Sequence, residues 1–249
     1  MKAILYIAHG TWLKKELEEI KLFLQRIIEK NSVPIQEICF LKLAEPNIAE
    51  GFQRCVEKGA TEITVVPLFL LPAGHIKIDI PNALEEVKRK YPTVKVTMKD
   101  SLGVQKEILD AVCGLIKNKG GKFSQHSSVL IVGVGGSDET IQPLYQEIVK
   151  GIKLRLETKQ VTICYLAKAE PNLEQGLEQV LKDEESKIIV VPYLLFPGFL
   201  YNLVKKQVNK LQKLGKDILI TDPLSTHSTM ENIFVESTKI DLKSDEIAI

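Results

Sequence analysis

His9 and His75 are the side chains of this 249-residue sequence whose type and placement could do chemistry. His9 stands in Ala8-His9-Gly10-Thr11, directly behind the apolar run Ala3–Ile7. His75 stands in Leu71-Pro72-Ala73-Gly74-His75, behind the apolar stretch Glu62–Leu71. If both runs are strands of one parallel sheet, the two imidazoles meet at its carboxyl rim, where open α/β sheets bind ligands. Two facing imidazoles suit a borderline divalent metal such as ferrous iron, cobalt or nickel. They also suit proton transfer near neutral pH. Taken singly, either histidine reads better as a cap on a strand end; it is the pair that gives the functional reading its weight. A His-Gly pair also occurs in phosphohistidine enzymes, but those place arginine before the histidine, and Ala8 stands here.

The elements that must position the pair follow from hydrophobic periodicity. Ala3–Ile7 is continuous and apolar, as in a strand buried on both faces. Thr11–Lys30 carries apolar residues at Leu13, Leu17, Ile20, Leu24, Ile27 and Ile28, which is helical spacing. The alternation continues with strand Ile35–Leu43, helix Asn47–Lys58, strand Glu62–Leu71, helix Ile80–Lys90, strand Val94–Met98 and helix Val104–Lys117. Such alternation predicts an α/β fold, a parallel sheet flanked by helices on both faces.

The whole unit then recurs. Ala44-Glu45-Pro46-Asn47 returns as Ala169-Glu170-Pro171-Asn172, Gly51 as Gly176, Val65-Val66-Pro67 as Val190-Val191-Pro192, and Pro72 as Pro197, all at one constant offset. At the same offset Ile4-Leu5-Tyr6-Ile7 aligns with Val129-Leu130-Ile131-Val132, and Gly10 with Gly135. Two copies are too few and too long for a solenoid and indicate internal duplication into two similar lobes. The expected boundaries are an N-terminal lobe over residues 1–118, a Gly/Lys/Ser-rich linker over 119–127, a second lobe over 128–238 and a tail over 239–249. The tail is either disordered or a short edge segment. Both histidines belong to the first copy; Val134 and Leu200 occupy the matching positions in the second.

Composition excludes several classes. With 33 basic and 32 acidic residues, the net charge of +1 gives no electrostatic case for a nucleic-acid partner. No apolar run reaches membrane-spanning length, so no membrane association is expected. The start, Met1-Lys2-Ala3-Ile4, runs straight into a strand pattern without the features of a signal peptide, and a cytoplasmic setting is expected. Cys39, Cys55, Cys113 and Cys164 are scattered, with no CxxC spacing, and read as buried apolar residues.

Ala3–Gly10 ending in His-Gly, Phe40-Leu41 leading to Glu45-Pro46, Val65-Val66-Pro67, Gly74-His75 followed by Asp79-Ile80-Pro81, and the run Val191–Phe196 together resemble the sirohydrochlorin chelatases. The resemblance covers nearly the whole chain, including the two-copy arrangement of the longer bacterial members. It implies a chelatase-type α/β fold with the tetrapyrrole sirohydrochlorin in a cleft between the lobes. It also implies insertion of a divalent metal, Fe2+ or Co2+, as substrate, with no nucleotide and with His9 and His75 as catalytic residues and metal ligands. Iron gives sirohaem; cobalt gives the cobaltochelatase of cobalamin synthesis; a tetrapyrrole or metal carrier without catalysis is a separate reading, which the lysine at position 42 keeps open. The sequence departs from the family pattern at Lys42, where a glutamate is usual, at Thr11-Trp12, where Ser-Arg is usual, and at Ile78, where a further histidine is usual.

For a macrocycle bearing eight carboxylates, candidate substrate-binding residues are Thr11, Trp12, Lys42 and the turn Gly135-Gly136-Ser137. Trp12 would stack on the flat ring, or else begin a helix. Exposed N–H groups of the Gly-rich turn would suit a carboxylate; Ser137 serves as well as a helix N-cap. Lys14 and Lys77 are further cationic candidates, and His126 and His227 are read as structural.

Overall fold

The computed structural model describes residues 1–72, 74–120, 127–136, 138–158, 160–182, 187–239 and 247–248. The chain begins with β1 (Lys2–Ala8), α1 (Lys14–Glu29), β2 (Ile35–Phe40), α2 (Ile48–Glu57), β3 (Glu62–Pro67), a π-helical turn (His75–Asp79) running into α3 (Ile80–Lys90), and β4 (Lys95–Met98). β1 lies between β2 and β3, β4 follows β3, and every one of these pairs is parallel. Ala3 to Ala8 are all buried, which explains the unbroken apolar run: helices cover both faces of the strand. On α1 the centre of the expected stripe is inside, with Ile20, Leu24 and Ile27 buried and Phe23 joining them; Leu17 and Ile28 are half-buried, and Leu13 is exposed ahead of the helix. The helix starts at Lys14 rather than Thr11, so Trp12 precedes it.

The second unit repeats the plan. It comprises α4 (Lys106–Gly120), β5 (Ser127–Gly135), α5 (Ile141–Leu156), β6 (Val161–Ala167), α6 (Leu173–Val180), β7 (Lys187–Pro192), α7 (Phe199–Lys213) and β8 (Ile218–Ile220). Its strands run in the order β6-β5-β7-β8, the counterpart of β2-β1-β3-β4. The chain ends with α8 (Ser228–Ser237) and β9 (Ile247–Ala248), a short antiparallel edge strand on β4.

The structure explains why Ala-Glu-Pro-Asn recurs. Asn47 and Asn172 each form a capping box at the start of α2 and α6, with Glu50 and Gln175 as the reciprocal partners. The Phe40 N–H donates to Pro46 O at 2.8 Å and the Tyr165 N–H to Pro171 O at 2.9 Å. Glu45 and Glu170 accept the Asn47 and Asn172 N–H groups at 3.1 and 3.2 Å. The repeated glycines Gly51 and Gly176 let these helices press on the sheet. A Cβ there would lie 2.7 Å from Cys39 Cβ and 2.4 Å from Cys164 Cβ. Glu45, retained in both copies, is therefore part of the scaffold.

The compact units do not follow the expected lobe boundaries. One comprises residues 1–103 with 231–249, the other 104–230. The closing helices have been exchanged. α4 follows β4 in sequence but packs on the second sheet, where Gly120 and Gly151 make room for Ile189 and Leu109, and Asp110 accepts from Arg155 at 2.5 Å. α8 instead covers α1: Phe234 meets Phe23 edge-on at 5.9 Å, and Glu231 pairs with Arg26 and Lys30 at 2.5 and 2.9 Å. An amphipathic stripe dictates that a helix is buried, not which sheet buries it. The expected linker shortens too, since α4 runs to Gly120 and β5 begins at Ser127; positions 121–126, His126 among them, lie outside the described residues.

All four cysteines are buried and free, as composition indicated. Among the described residues, no helix is long and apolar enough to cross a membrane.

Candidate functional site

Three adjacent strands deliver the site. β1 ends at Ala8 opposite Phe40 of β2, and its Ile7 lies opposite Pro67 of β3, so the chain leaves all three strands at one rim. Beyond that rim the Leu41 and Lys42 N–H groups donate to Ala8 O and His9 O at 2.8 and 2.9 Å, tying the segments together. Gly10 makes this crossing feasible: its φ is +90° and a Cβ would lie 2.0 Å from Lys42 O. His75 arrives from β3 at the head of the π-helical turn, held down by Ile76 and Ile80, both buried.

The structure brings His9 and His75 together. Their ring centroids are 5.1 Å apart with the planes tilted by 59°, and Phe69 lies 6.1 Å from His75 on another side. One ion with bonds of about 2 Å to nitrogen can bridge rings at this separation. Each Nδ1 faces a group that only accepts: His9 Nδ1 donates to Gly10 O at 3.1 Å, and His75 Nδ1 donates to Asp79 Oδ2 at 2.6 Å. Both protons of the neutral rings therefore sit on Nδ1, and both Nε2 lone pairs are left for a metal or an incoming proton.

The electrostatics keep His9 neutral. Partial burial pushes its pKa below the usual histidine range. The Gly10 carbonyl works against this, neighbouring His75 and Lys42 reinforce it, and Asp79 opposes it. Asp79 is held below the usual carboxylate range, first by its hydrogen bond with His75; slight burial opposes this and the Lys42 ammonium adds to it. Lys42 lies 3.2 Å from the same Asp79 oxygen. Among the described residues, no group of three or more His, Cys, Asp or Glu side chains is arranged to hold a metal ion. The protein side therefore offers two imidazole nitrogens.

Thr11 accepts the Leu13 N–H and donates to Glu16, a buried carboxylate in the first turn of α1. Trp12 is 79% exposed, so it is neither core nor helix start; Ile78, in the π-helical turn, and Leu43, on the loop beyond β2, are exposed apolar residues. Asp79 is the site member that sequence reasoning left without a role. Its signal was present: a carboxylate four residues after a histidine shares a helical face with it.

In the second copy the corresponding rim is filled. Tyr145 Oη accepts the Val134 N–H at 3.0 Å and also faces the Gly135 N–H, and burial pushes its phenol up to about 12, so it stays protonated. Gly133 has no side chain because a Cβ would lie 2.6 Å from the Tyr145 ring. Gly135 crosses β6 as Gly10 crosses β2, with φ +74° and a would-be Cβ 2.1 Å from Ala167 O. The N–H just before this turn, that of Val134, is thus committed to Tyr145. Gly136 follows the strand end, and Ser137 lies outside the described residues. The N-cap position of α5 falls to Thr140. His227 Nδ1 accepts the Thr229 N–H at 3.3 Å, a structural role.

A duplicated parallel α/β unit with paired imidazoles at the carboxyl rim of one copy defines a protein of the chelatase fold. Comparison with known proteins makes the assignment particular. Residues 3–119 and 128–240 each match the CbiX family model, and the chain belongs to this family. It is 37% identical over 244 residues to the sirohydrochlorin ferrochelatase of Priestia megaterium, covering 98% of this chain and 92% of that one. It is 28% identical to a sirohydrochlorin cobaltochelatase of the same organism, covering 98% and 81%. Among solved structures, SirB from Bacillus subtilis with Fe3+ superposes with a TM-score of 0.85 at 34% identity, covering 96% of this chain and 94% of that one.

Proposed function

We propose that the chain is a sirohydrochlorin ferrochelatase, a lyase that inserts Fe2+ into sirohydrochlorin to give sirohaem with release of two protons. The observation that carries this is the His9–His75 pair, with both Nε2 lone pairs left free by acceptors on Nδ1. Metal entry requires two pyrrole N–H protons to leave. Imidazole nitrogens that are not protonated can pass the metal on and receive those protons, because the same lone pair serves both. Two protein ligands leave the remaining coordination positions to the macrocycle's own nitrogens. Trp12, exposed beside the rim, offers a flat apolar face to the ring, and Lys42 and Thr11 offer polar contacts to its carboxylates. The turn at Gly135 and Gly136 is kept as a weaker candidate for a further carboxylate.

The similarity to a ferrochelatase at 37% identity favours iron; cobalt is the second metal, supported by the cobaltochelatase relative at 28%. The reaction needs no nucleotide, nucleic acid or membrane. A cytoplasmic setting fits the four free thiols.

The test is anaerobic absorption spectroscopy with sirohydrochlorin and Fe2+ or Co2+, on the protein and on His9→Ala and His75→Ala. A metal-dependent spectral change faster than without protein is expected, slowed by about 10²–10⁴-fold in each variant. Pigment binding with no acceleration would establish a carrier instead.

A further inference from the structure

Asp79 does not stand among the groups expected to meet metal or macrocycle, yet it makes the shortest contact of the site. Its Oδ2 receives His75 Nδ1–H at 2.6 Å and the Lys42 ammonium at 3.2 Å. Its backbone belongs to the same π-helical turn as His75, pinned by Ile76 and Ile80 at 3% and 0% exposure, so the carboxylate and the imidazole are carried by one rigid segment. His9 has no such partner; its Nδ1 rests on a neutral backbone carbonyl at the longer distance of 3.1 Å. The two imidazoles are therefore inequivalent by construction.

We propose that Asp79 is a positioning residue: it fixes His75 in the Nδ1–H tautomer with Nε2 facing outward as a ligand, and makes His75 the stronger metal donor of the pair. The physical basis is general. A carboxylate behind a histidine sets its tautomer and ring orientation and raises its basicity as a ligand, an effect worth 10–100-fold in metal affinity. An ionised carboxylate has no proton to give, so while the contact exists His75 cannot adopt the other neutral tautomer. Lys42 shares the same oxygen from the solvent side, where a half-exposed ammonium contributes little energy of its own. In this sequence it is a partner of Asp79, which accounts for a cation beside a metal-handling pair. The positioning role concerns metal binding directly and rests on the chelatase reading only where turnover is concerned.

The test uses the full chain with 15N-labelled histidine, wild type and the variants Asp79→Ala and Asp79→Glu, at a pH where both imidazoles are neutral. Nitrogen–proton correlation spectra report the His75 tautomer, assigned by loss of its signals in His75→Ala. Visible absorption during titration with Co2+ alone reports metal affinity, with no tetrapyrrole present. The expected result is a shift of His75 away from the Nδ1–H form in Asp79→Ala with Co2+ affinity lowered 10–100-fold. Asp79→Glu is expected to keep the Nδ1–H form and most of the affinity. Retention of the Nδ1–H form in Asp79→Ala, Co2+ affinity within about threefold of wild type, or a loss that glutamate does not restore would each overturn the proposal. Neither readout requires insertion. A wild-type protein that fails to metallate sirohydrochlorin defeats the chelatase reading alone, and an Asp79→Ala protein that keeps its tautomer and cobalt spectrum defeats the positioning role alone. Asp79 is more than a third exposed, so its truncation leaves no buried hole to unfold the protein.

Discussion

The duplication provides its own control for the turn that carries His9. Gly10→Ala forces an L-residue to φ +90°, which costs about 1–2 kcal/mol. It also drives a Cβ to within 2.0 Å of Lys42 O, where carbon–oxygen contacts normally stop at roughly 3.3 Å. That oxygen belongs to backbone fixed by the Leu41 and Lys42 hydrogen bonds to Ala8 O and His9 O, so relief must move the crossing itself. Overpacking of this kind adds about 1–3 kcal/mol. The sum, about 2–5 kcal/mol, corresponds to a melting midpoint lower by roughly 4–20 °C for a chain of this size. Gly135→Ala meets the same two penalties, at φ +74° and 2.1 Å from Ala167 O, and should cost as much stability. The residue before it is Val134, not a histidine. Displacing the first turn by an ångström misplaces His9, and misplacement on that scale costs about 10²-fold in rate. Metal insertion, assayed well below both midpoints, should therefore fall about 100-fold in Gly10→Ala and stay within about threefold of wild type in Gly135→Ala. Equal loss in both would raise Gly135 from a weaker to a leading substrate-site candidate. Full activity in a destabilised Gly10→Ala would refute the claim that this crossing places His9.

Asn47→Ala and Asn172→Ala each remove the cap of a scaffold helix without touching either imidazole. Each should lower stability by about 1 kcal/mol, read from denaturation midpoints, with metal insertion unchanged; a selective loss of activity in Asn47→Ala would mean that the Ala-Glu-Pro-Asn turn is more than scaffold. Glu231→Gln tests the seat of α8. Burial raises the Glu231 pKa, but the hydrogen bonds from Lys30 and Arg26 more than offset this, and the net shift is downward. A carboxyl depressed on folding stabilises fully above its unfolded value, near 4.5, and loses that contribution as pH falls through the folded value. With partners nearly half exposed, the loss in Glu231→Gln should be about 1 kcal/mol at pH 7 and should vanish once the pH has fallen below the folded value; a difference that persists there would assign it to packing instead.

What could be read without coordinates depended on range. β1 was legible as an unbroken apolar run because both its faces are covered, and its repetition as β5 made the duplication certain before any contact was known. The meeting of His9 and His75 was legible because both follow strands and parallel sheets gather strand ends at one rim. The exchange of α4 and α8 was not, since an amphipathic stripe carries no address. Gly120 and Gly151 mark the docking of α4, but only against Ile189 and Leu109, residues far away in sequence. Periodicity places Trp12 in a helix, whereas the turn at Gly10, tied to Lys42 through His9 O, delays the helix until Lys14. Asp79 was overlooked because its partner precedes α3 in a turn with π-helical bonding, which the apolar pattern does not announce.

The second copy shows what the scaffold does when no chemistry is asked of it. Its glycine crossing, capping box and helix–sheet glycine contact are all retained, so none of these is specific to metal insertion. At the rim, however, Ala8 has become Gly133, His9 has become Val134, and the position of Ile20 holds Tyr145, whose ring occupies the space a Gly133 side chain would need. Tyr145 meets Tyr165 and Tyr193 edge-on at 5.4 and 6.1 Å, filling with packed rings the region below the strand ends. These changes are mutually dependent: a tyrosine at 145 demands glycine at 133 and takes the Val134 N–H that follows. A histidine at 134 would therefore sit on a strand end already committed to packing, without the carboxylate-backed partner that His75 and Asp79 supply in the first copy. The imidazole pair is confined to one copy, and the other uses the packed tyrosines below the same rim to complete its core.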